Sequence, residues 1–127
     1  YIIDTLKALK DEHLKLAVLS NKPHEDTLRV IEYYFGLDKF DIVMGKKPYN
    51  RSKPEIDGCL EILNALNIKP EEVLYVGDTD IDMQTAQNAK FTAVAVTWGF
   101  RLASELHGYH YIIDNPKDLL KIIEELK

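Results

Sequence analysis

Val73-Leu74-Tyr75-Val76-Gly77-Asp78-Thr79-Asp80-Ile81-Asp82 is an apolar run that stops at a glycine and opens into three carboxylates within five residues. Four consecutive apolar residues bounded by turn formers read as a buried strand. Residues 77–82 then form a turn, and the spacing from Met83 to Ala89 predicts a helix. Carboxylates crowded at the end of a buried strand repel one another unless a cation or a lysine stands among them, so this turn is a place where charge must be compensated.

The same alternation continues in both directions. Upstream, Pro54 is expected to open a helix with the inner face Ile56, Leu60, Leu63 and Leu66, preceded by a loop over residues 45–52 and a short strand over 40–44. Leu16-Ala17-Val18-Leu19 predicts a buried parallel strand ending at Ser20-Asn21. Pro23 falls in the first turn of the next helix, whose stripe is Leu28, Ile31 and Phe35 and which Gly36 stops. Ile2, Ile3, Leu6, Leu9 and Leu14 mark a first helix closed by Lys10-Asp11-Glu12-His13. Downstream come strands over 92–96 and 112–113 and a terminal helix over 116–126. The expectation is one α/β domain over residues 1–127, a three-layer sandwich on a Rossmann-like parallel sheet in which the strands ending at Ser20 and Val76 lie close together.

Composition narrows the function. A chain of 127 residues, 46% apolar and 29% charged, suits a single folded core. No stretch approaches the roughly 20 apolar residues that span a bilayer. The opening Tyr1-Ile2-Ile3-Asp4-Thr5 has no features of a secretory leader, so a cytoplasmic location is expected. With 16 basic against 21 acidic residues the net charge is -5, which offers no basic face for nucleic acid and argues against that partner. Cys59 is the single cysteine, which leaves no intrachain disulfide and no cysteine-built zinc site; it reads as a small buried apolar residue.

Three polar groups follow separate apolar runs: Ser20-Asn21, Lys53-Pro54 and the acidic turn from Asp78 to Asp82. In parallel α/β sheets ligands bind at the carboxyl ends of the strands, so all three are expected at one crevice. Asp78 and Asp82, four residues apart, offer hard oxygen ligands of the kind Mg²⁺ takes together with water and phosphate oxygens. Lys53 brings a compact positive charge for phosphoryl oxygens, Ser20 a hydroxyl, and Asn21 a backbone N–H at a turn that leads into a helix. Such an ensemble supplies the positioning and charge stabilisation on which phosphoryl transfer depends. Each element also has an ordinary explanation: Ser20 as a helix cap, Lys-Pro as a helix start, Asp78 or Asp80 as a cap. Their order and spacing together favour the common site.

Leu16-Ala17-Val18-Leu19-Ser20-Asn21-Lys22-Pro23, Ser52-Lys53-Pro54-Glu55 and Val76-Gly77-Asp78-Thr79-Asp80-Ile81-Asp82 resemble motifs II, III and IV of the haloacid dehalogenase superfamily. Val96-Thr97-Trp98-Gly99-Phe100 and Asp114-Asn115-Pro116-Lys117-Asp118-Leu119 resemble later segments of its phosphoglycolate-phosphatase-like branch. The resemblance implies a Mg²⁺-dependent hydrolase of small phosphorylated metabolites. In it Ser20 and Asn21 bind the phosphoryl group, Lys53 bridges phosphate and nucleophile, Asp78 ligates Mg²⁺, and Asp82 supports the metal's water shell or Lys53. Asp80 has no fixed role in the pattern.

The family's motif I, an apolar strand followed by Asp-x-Asp-Gly that carries the aspartyl nucleophile, has no counterpart before Ser20, and neither has the helical cap that commonly follows it. The segment over 73–80 is no substitute: Gly77 interrupts the run, Ile81 stands where a glycine belongs, and the order is wrong. The chain is therefore expected to be a piece of a longer enzyme and inactive as it stands. The motif I strand lies in this family between the strands ending at Ser20 and Val76, and the gap is expected to close or to be filled by another chain, including a second copy. The rival reading is a non-catalytic module that binds metal or an anion. A phosphorylation-receiver domain is excluded by order, because Lys53 precedes Asp78.

Overall fold

The computed structural model describes residues 2–98 and 106–126. Helix α1 (Ile2–Asp11) is followed by β1 (Ala17–Pro23), α2 (His24–Tyr34), β2 (Ile42–Lys46), α3 (Asp57–Leu66), β3 (Leu74–Gly77), α4 (Asp80–Ala89), β4 (Thr92–Val96), β5 (Tyr111–Ile113) and α5 (Asp118–Leu126). Every strand pairing among these residues is parallel: β1 with β2, and β3 through β4 to β5.

The alternation along β4 shows how the layers are built. Ala93 and Ala95 face a core made by Cys59 and Leu63 of α3, Met83, Ala86 and Ala89 of α4, Phe91 and Leu106. Val94 and Val96 face the opposite way, against Ile113 of β5 and Ile122 of α5. One strand thus feeds two cores through the period-two alternation of its side chains, and the small alanines let α3 and α4 approach closely on their side. The result is a helix–sheet–helix sandwich. The helical stripe of α3 differs from the sequence expectation: α3 starts at Asp57 instead of Pro54, Cys59 and Leu63 point inward, and Leu60 is 54% exposed.

Among the described residues there are two sheets in place of one continuous sheet, a pair and a triplet, with no ladder joining β1 to β3. β1 and β3, expected side by side, are instead edge strands of separate sheets. Val76, the last residue of its apolar run, is 42% exposed.

The ends of β1 and β2 are shaped by a bulge. Leu19 pairs with Met44 and Pro23 with Lys46, so Ser20, Asn21 and Lys22 stand opposite the single residue Gly45. Extra residues on one strand kink it and turn their groups out of the ladder. Strand geometry therefore persists through Pro23, which serves as the N-cap of α2 at φ -51° and ψ 144° with no side-chain cap. The turn expected at Ser20-Asn21, leading directly into a helix, is instead an extended bulge three residues ahead of α2. Gly45 is required opposite it. A Cβ there would stand 2.7 Å from the Lys22 carbonyl oxygen and 2.6 Å from the His24 Cα, and its N–H donates to His24 Nδ1 at 3.0 Å.

Candidate active site

The carboxyl ends of β1 and β3 carry the residues singled out by sequence. Lys53, in the turn before α3, reaches across the seam between the two sheets: its Nζ lies 2.8 Å from Asp82 Oδ1 and donates to the Leu19 carbonyl at 3.4 Å. The ring of Tyr75 on β3 lies beneath it, with its centroid 6.0 Å from Nζ. Both partners of the ion pair are largely withdrawn from water, with side-chain exposures of 13% for Lys53 and 12% for Asp82.

Asp82 belongs to the first turn of α4, which begins at Asp80 and not, as periodicity suggested, at Met83. The cap is Thr79. Its hydroxyl accepts the Asp82 N–H at 3.2 Å and donates to Asp82 Oδ2 at 3.1 Å, and the same Oδ2 accepts the Asp78 N–H at 3.2 Å. Burial alone would push the Asp82 carboxyl up. The Lys53 charge, its hydrogen bond, and those from Thr79 and Asp78 outweigh burial and hold it below its ordinary 3.8. Gly77 makes room for this carboxylate: a Cβ at 77 would sit 2.6 Å from Asp82 Cγ. The Gly-Asp pair of the sequence therefore has a packing reason. Burial, followed by the neighbouring Asp82 charge, pushes the Tyr75 hydroxyl far up, so it stays protonated.

Ser20 lines the same depression as Lys53, and its Oγ accepts the Lys22 N–H at 3.1 Å, leaving its own proton to donate. Asn21 lies beside it, but its side chain turns back onto Lys53, accepting the Lys53 N–H at 2.8 Å and donating to the Lys53 carbonyl at 3.3 Å. The Asp78 carboxylate has no hydrogen-bond or ion-pair partner among the described residues, whereas both Asp82 oxygens are engaged. Among the described residues no group of three or more His, Cys, Asp or Glu side chains could enclose an ion. Asp80, given no role by sequence, accepts the His107 N–H at 3.1 Å and ties that loop to the start of α4.

Sequence reasoning missed the frame of the loop over 47–55. Glu61 accepts from Lys47 Nζ at 3.3 Å, the Tyr49 hydroxyl at 3.3 Å and Asn50 Nδ2 at 2.9 Å, and one helical turn earlier Asp57 holds Arg51 through its backbone N–H, Nε and Nη2. The signal was present as two acids four apart facing a loop with three basic residues. Gly99 and Phe100, part of the later family-like segment, lie outside the described residues.

Residues 1–96 match the model of the haloacid dehalogenase-like hydrolases. The chain is 32% identical over 121 residues to the phosphoglycolate phosphatase of Aquifex aeolicus, covering 94% of this chain and 56% of that protein. It is 37% identical over 125 residues to a protein assigned as the pyrophosphatase PpaX in Caldanaerobacter subterraneus subsp. tengcongensis, covering 95% and 56%. A crystal structure assigned as a phosphoglycolate phosphatase of Lactobacillus delbrueckii subsp. bulgaricus superposes with a TM-score of 0.90 at 38% identity, covering 96% of this chain and 52% of that one. The chain thus spans about half the length of the relatives it matches. With the order of its motifs, the parallel α/β layers and the Lys53–Asp82 pair at the strand ends, it belongs to the haloacid dehalogenase-like hydrolases, in the phosphoglycolate-phosphatase-like branch.

Proposed function

We propose that this chain supplies the phosphate-binding part of a cytoplasmic, Mg²⁺-dependent phosphomonoester hydrolase acting on a small phosphorylated metabolite. The observation that carries the reading is the position of the Lys53 ammonium, which bridges the Leu19 carbonyl, just ahead of the β1 bulge, and Asp82 at the start of α4. A compact cation at the junction of the strand ends, beside the Ser20 hydroxyl, is suited to the equatorial oxygens of a phosphoryl group. Asp78 is the residue with a carboxylate available for Mg²⁺, and Asp82 acts through Lys53. The ion, when bound, would neutralise phosphoryl charge; its remaining oxygens would come from water, the phosphate and a further carboxylate.

Turnover through an aspartyl-phosphate also requires a nucleophile, and that carboxylate would have to be brought to the seam between β1 and β3 by a further strand, from a longer form of this protein or from a second chain. The two unpaired strand edges at the seam are where such a strand would dock. Two relatives are named for phosphoglycolate and for pyrophosphate, and both substrates present a second anionic group next to the phosphoryl. Among the described residues no three His, Cys, Asp or Glu side chains are placed to hold an ion together, which favours a second reading, in which the chain alone binds an anion without turnover. Nucleic acid has no part in either.

The test is single-turnover hydrolysis of p-nitrophenyl phosphate with and without Mg²⁺, by this chain and by a version extended upstream. The expected result is Mg²⁺-dependent turnover in the extended protein only, abolished by Asp78→Asn. Equal rates in the two chains, both abolished by Asp78→Asn, would make Asp78 the nucleophile and end the proposal.

A further inference from the structure

Asn21 stands exposed in the β1 bulge, yet its side-chain amide is committed to one distant residue. Its Oδ1 accepts the Lys53 N–H at 2.8 Å and its Nδ2 donates to the Lys53 carbonyl at 3.3 Å, across 32 positions of sequence. Lys53 lies in a turn, where no strand or helix ladder holds its backbone. An asparagine side chain can serve both polar groups of one residue because it presents an acceptor and a donor side by side; serine, alanine or aspartate loses one or both. Immediately after it, Asn88 of α4 donates from Nδ2 to the Pro54 carbonyl at 3.0 Å, so the turn is held from two elements.

The need for such a grip follows from the lysine. Its ammonium rides on a flexible four-carbon stem, and the stem can be no better placed than the Cα it starts from. Here that ammonium must meet the Leu19 carbonyl on one sheet and Asp82 beside the other. We propose that Asn21 is the positioning residue for Lys53, fixing the lysine backbone against the β1 bulge so that its ammonium spans the seam. This assigns to the Asn21 side chain a task other than contact with an anion, and leaves only its backbone N–H for that purpose. The inference concerns the protein's own geometry and stands whether or not the crevice takes phosphate.

The experiment is competitive lysine acetylation of the intact chain, without phosphate or metal, with each lysine's labelling rate read by mass spectrometry. In Asn21→Ala the rate at Lys53 is expected to rise about fivefold, the opening that follows loss of a backbone-directed hydrogen bond. The rate at Lys47, which is held by Glu61 in the adjacent loop, is expected to stay at its wild-type value. Asn21→Asp keeps the shorter acceptor bond and should stay near wild type; being isosteric, it also serves if the alanine variant fails to fold. A Lys53 rate within twofold of wild type in Asn21→Ala, or an equal rise at Lys47, overturns the proposal. So does an Asn21→Asp chain as reactive as Asn21→Ala. A merely structural role would move both lysines together, and failure of the phosphatase reading would leave these rates unchanged.

Discussion

Replacing Lys53 with methionine removes the ammonium while keeping an unbranched side chain of similar length, and leaves Asp82 as a carboxylate 12% exposed with no cation beside it. Breaking a buried ion pair by removing one partner typically costs about 3 to 5 kcal/mol. Asp82 retains the Thr79 hydroxyl and the Asp78 N–H on Oδ2, and some water reaches the pair, which argues for the lower end, about 3 kcal/mol. For a domain of this size about 4 °C of Tm accompanies each kcal/mol, so the melting temperature should fall by about 12 °C. The assay is thermal and urea unfolding followed by circular dichroism near neutral pH with a chelator present, for wild type, Lys53→Met, Asp82→Asn and the double variant. Since the double variant buries no lone charge, it should recover part of the loss, with a coupling energy of about 2 kcal/mol. A folded Lys53→Met chain within about 0.5 kcal/mol of wild type, the range of an ordinary surface substitution, would refute the claim that the pair is buried and mutually dependent.

Three further outcomes are expected. Gly77→Ala should displace the Asp82 carboxylate and destabilise the chain by at least about 2 kcal/mol, an overpacking cost, and in the Lys53→Met background the two losses should fail to add; simple additivity would show that the two sites are independent. The Asn50 hydrogen bond, ahead of the Lys47 charge and against burial, holds Glu61 below its ordinary 4.5; the stabilisation it provides is therefore complete above that value and lost as pH falls through the lower folded value. The Asn50 side-chain amide resonances should move as the solution is taken to about pH 3, and should stay fixed in Glu61→Gln; unchanged resonances in the wild-type chain would contradict the network. Burial pushes the Cys59 thiol up to about 11, and the residue is 2% exposed, so labelling by a disulfide reagent at about pH 8 should be at least about 100-fold slower in the folded chain than in urea. Comparable rates would place the thiol at the surface.

The parts of the molecule readable from sequence were those in which one residue type has one physical use. The run over 73–76 was legible as a strand, although β3 covers Leu74–Gly77 and is only partly buried, and β4 coincides with the expected 92–96. The acidic turn announced the need for a cation, and Lys53 meets Asp82 at 2.8 Å. What escaped were features set by tertiary partners. Helix starts were misplaced at α3 and α4 because Pro54 looks like a first-turn residue and because Thr79 lies among aspartates that cap equally well, so the sequence does not single it out. The bulge at Ser20–Lys22 was hidden because register depends on the partner strand, here on Gly45. Asn21 was read through its backbone alone, since nothing local indicates that an exposed amide will bind a residue 32 positions later. Leu60 was assigned inward beside Leu63, whereas Cys59 takes that inner place and Leu60 is 54% exposed.

The absence of a hydrogen-bond ladder between β1 and β3 bears on how the chain folds and breathes. β1, α2 and β2 close on one another within 30 residues of sequence, and β3, α4 and β4 within 23, so each half can assemble from nearby segments at modest loop-closure cost. Across the seam the halves communicate through side chains: Leu19 packs into the core of α3 and α4, and Lys53 bridges the strand ends. Side-chain contacts of this kind make a weaker weld than a shared ladder. Amide exchange should accordingly resolve two cooperative units, with the triplet of strands, whose central member is buried on both faces, outlasting the pair. A strand seated at the seam would fuse the two units into one.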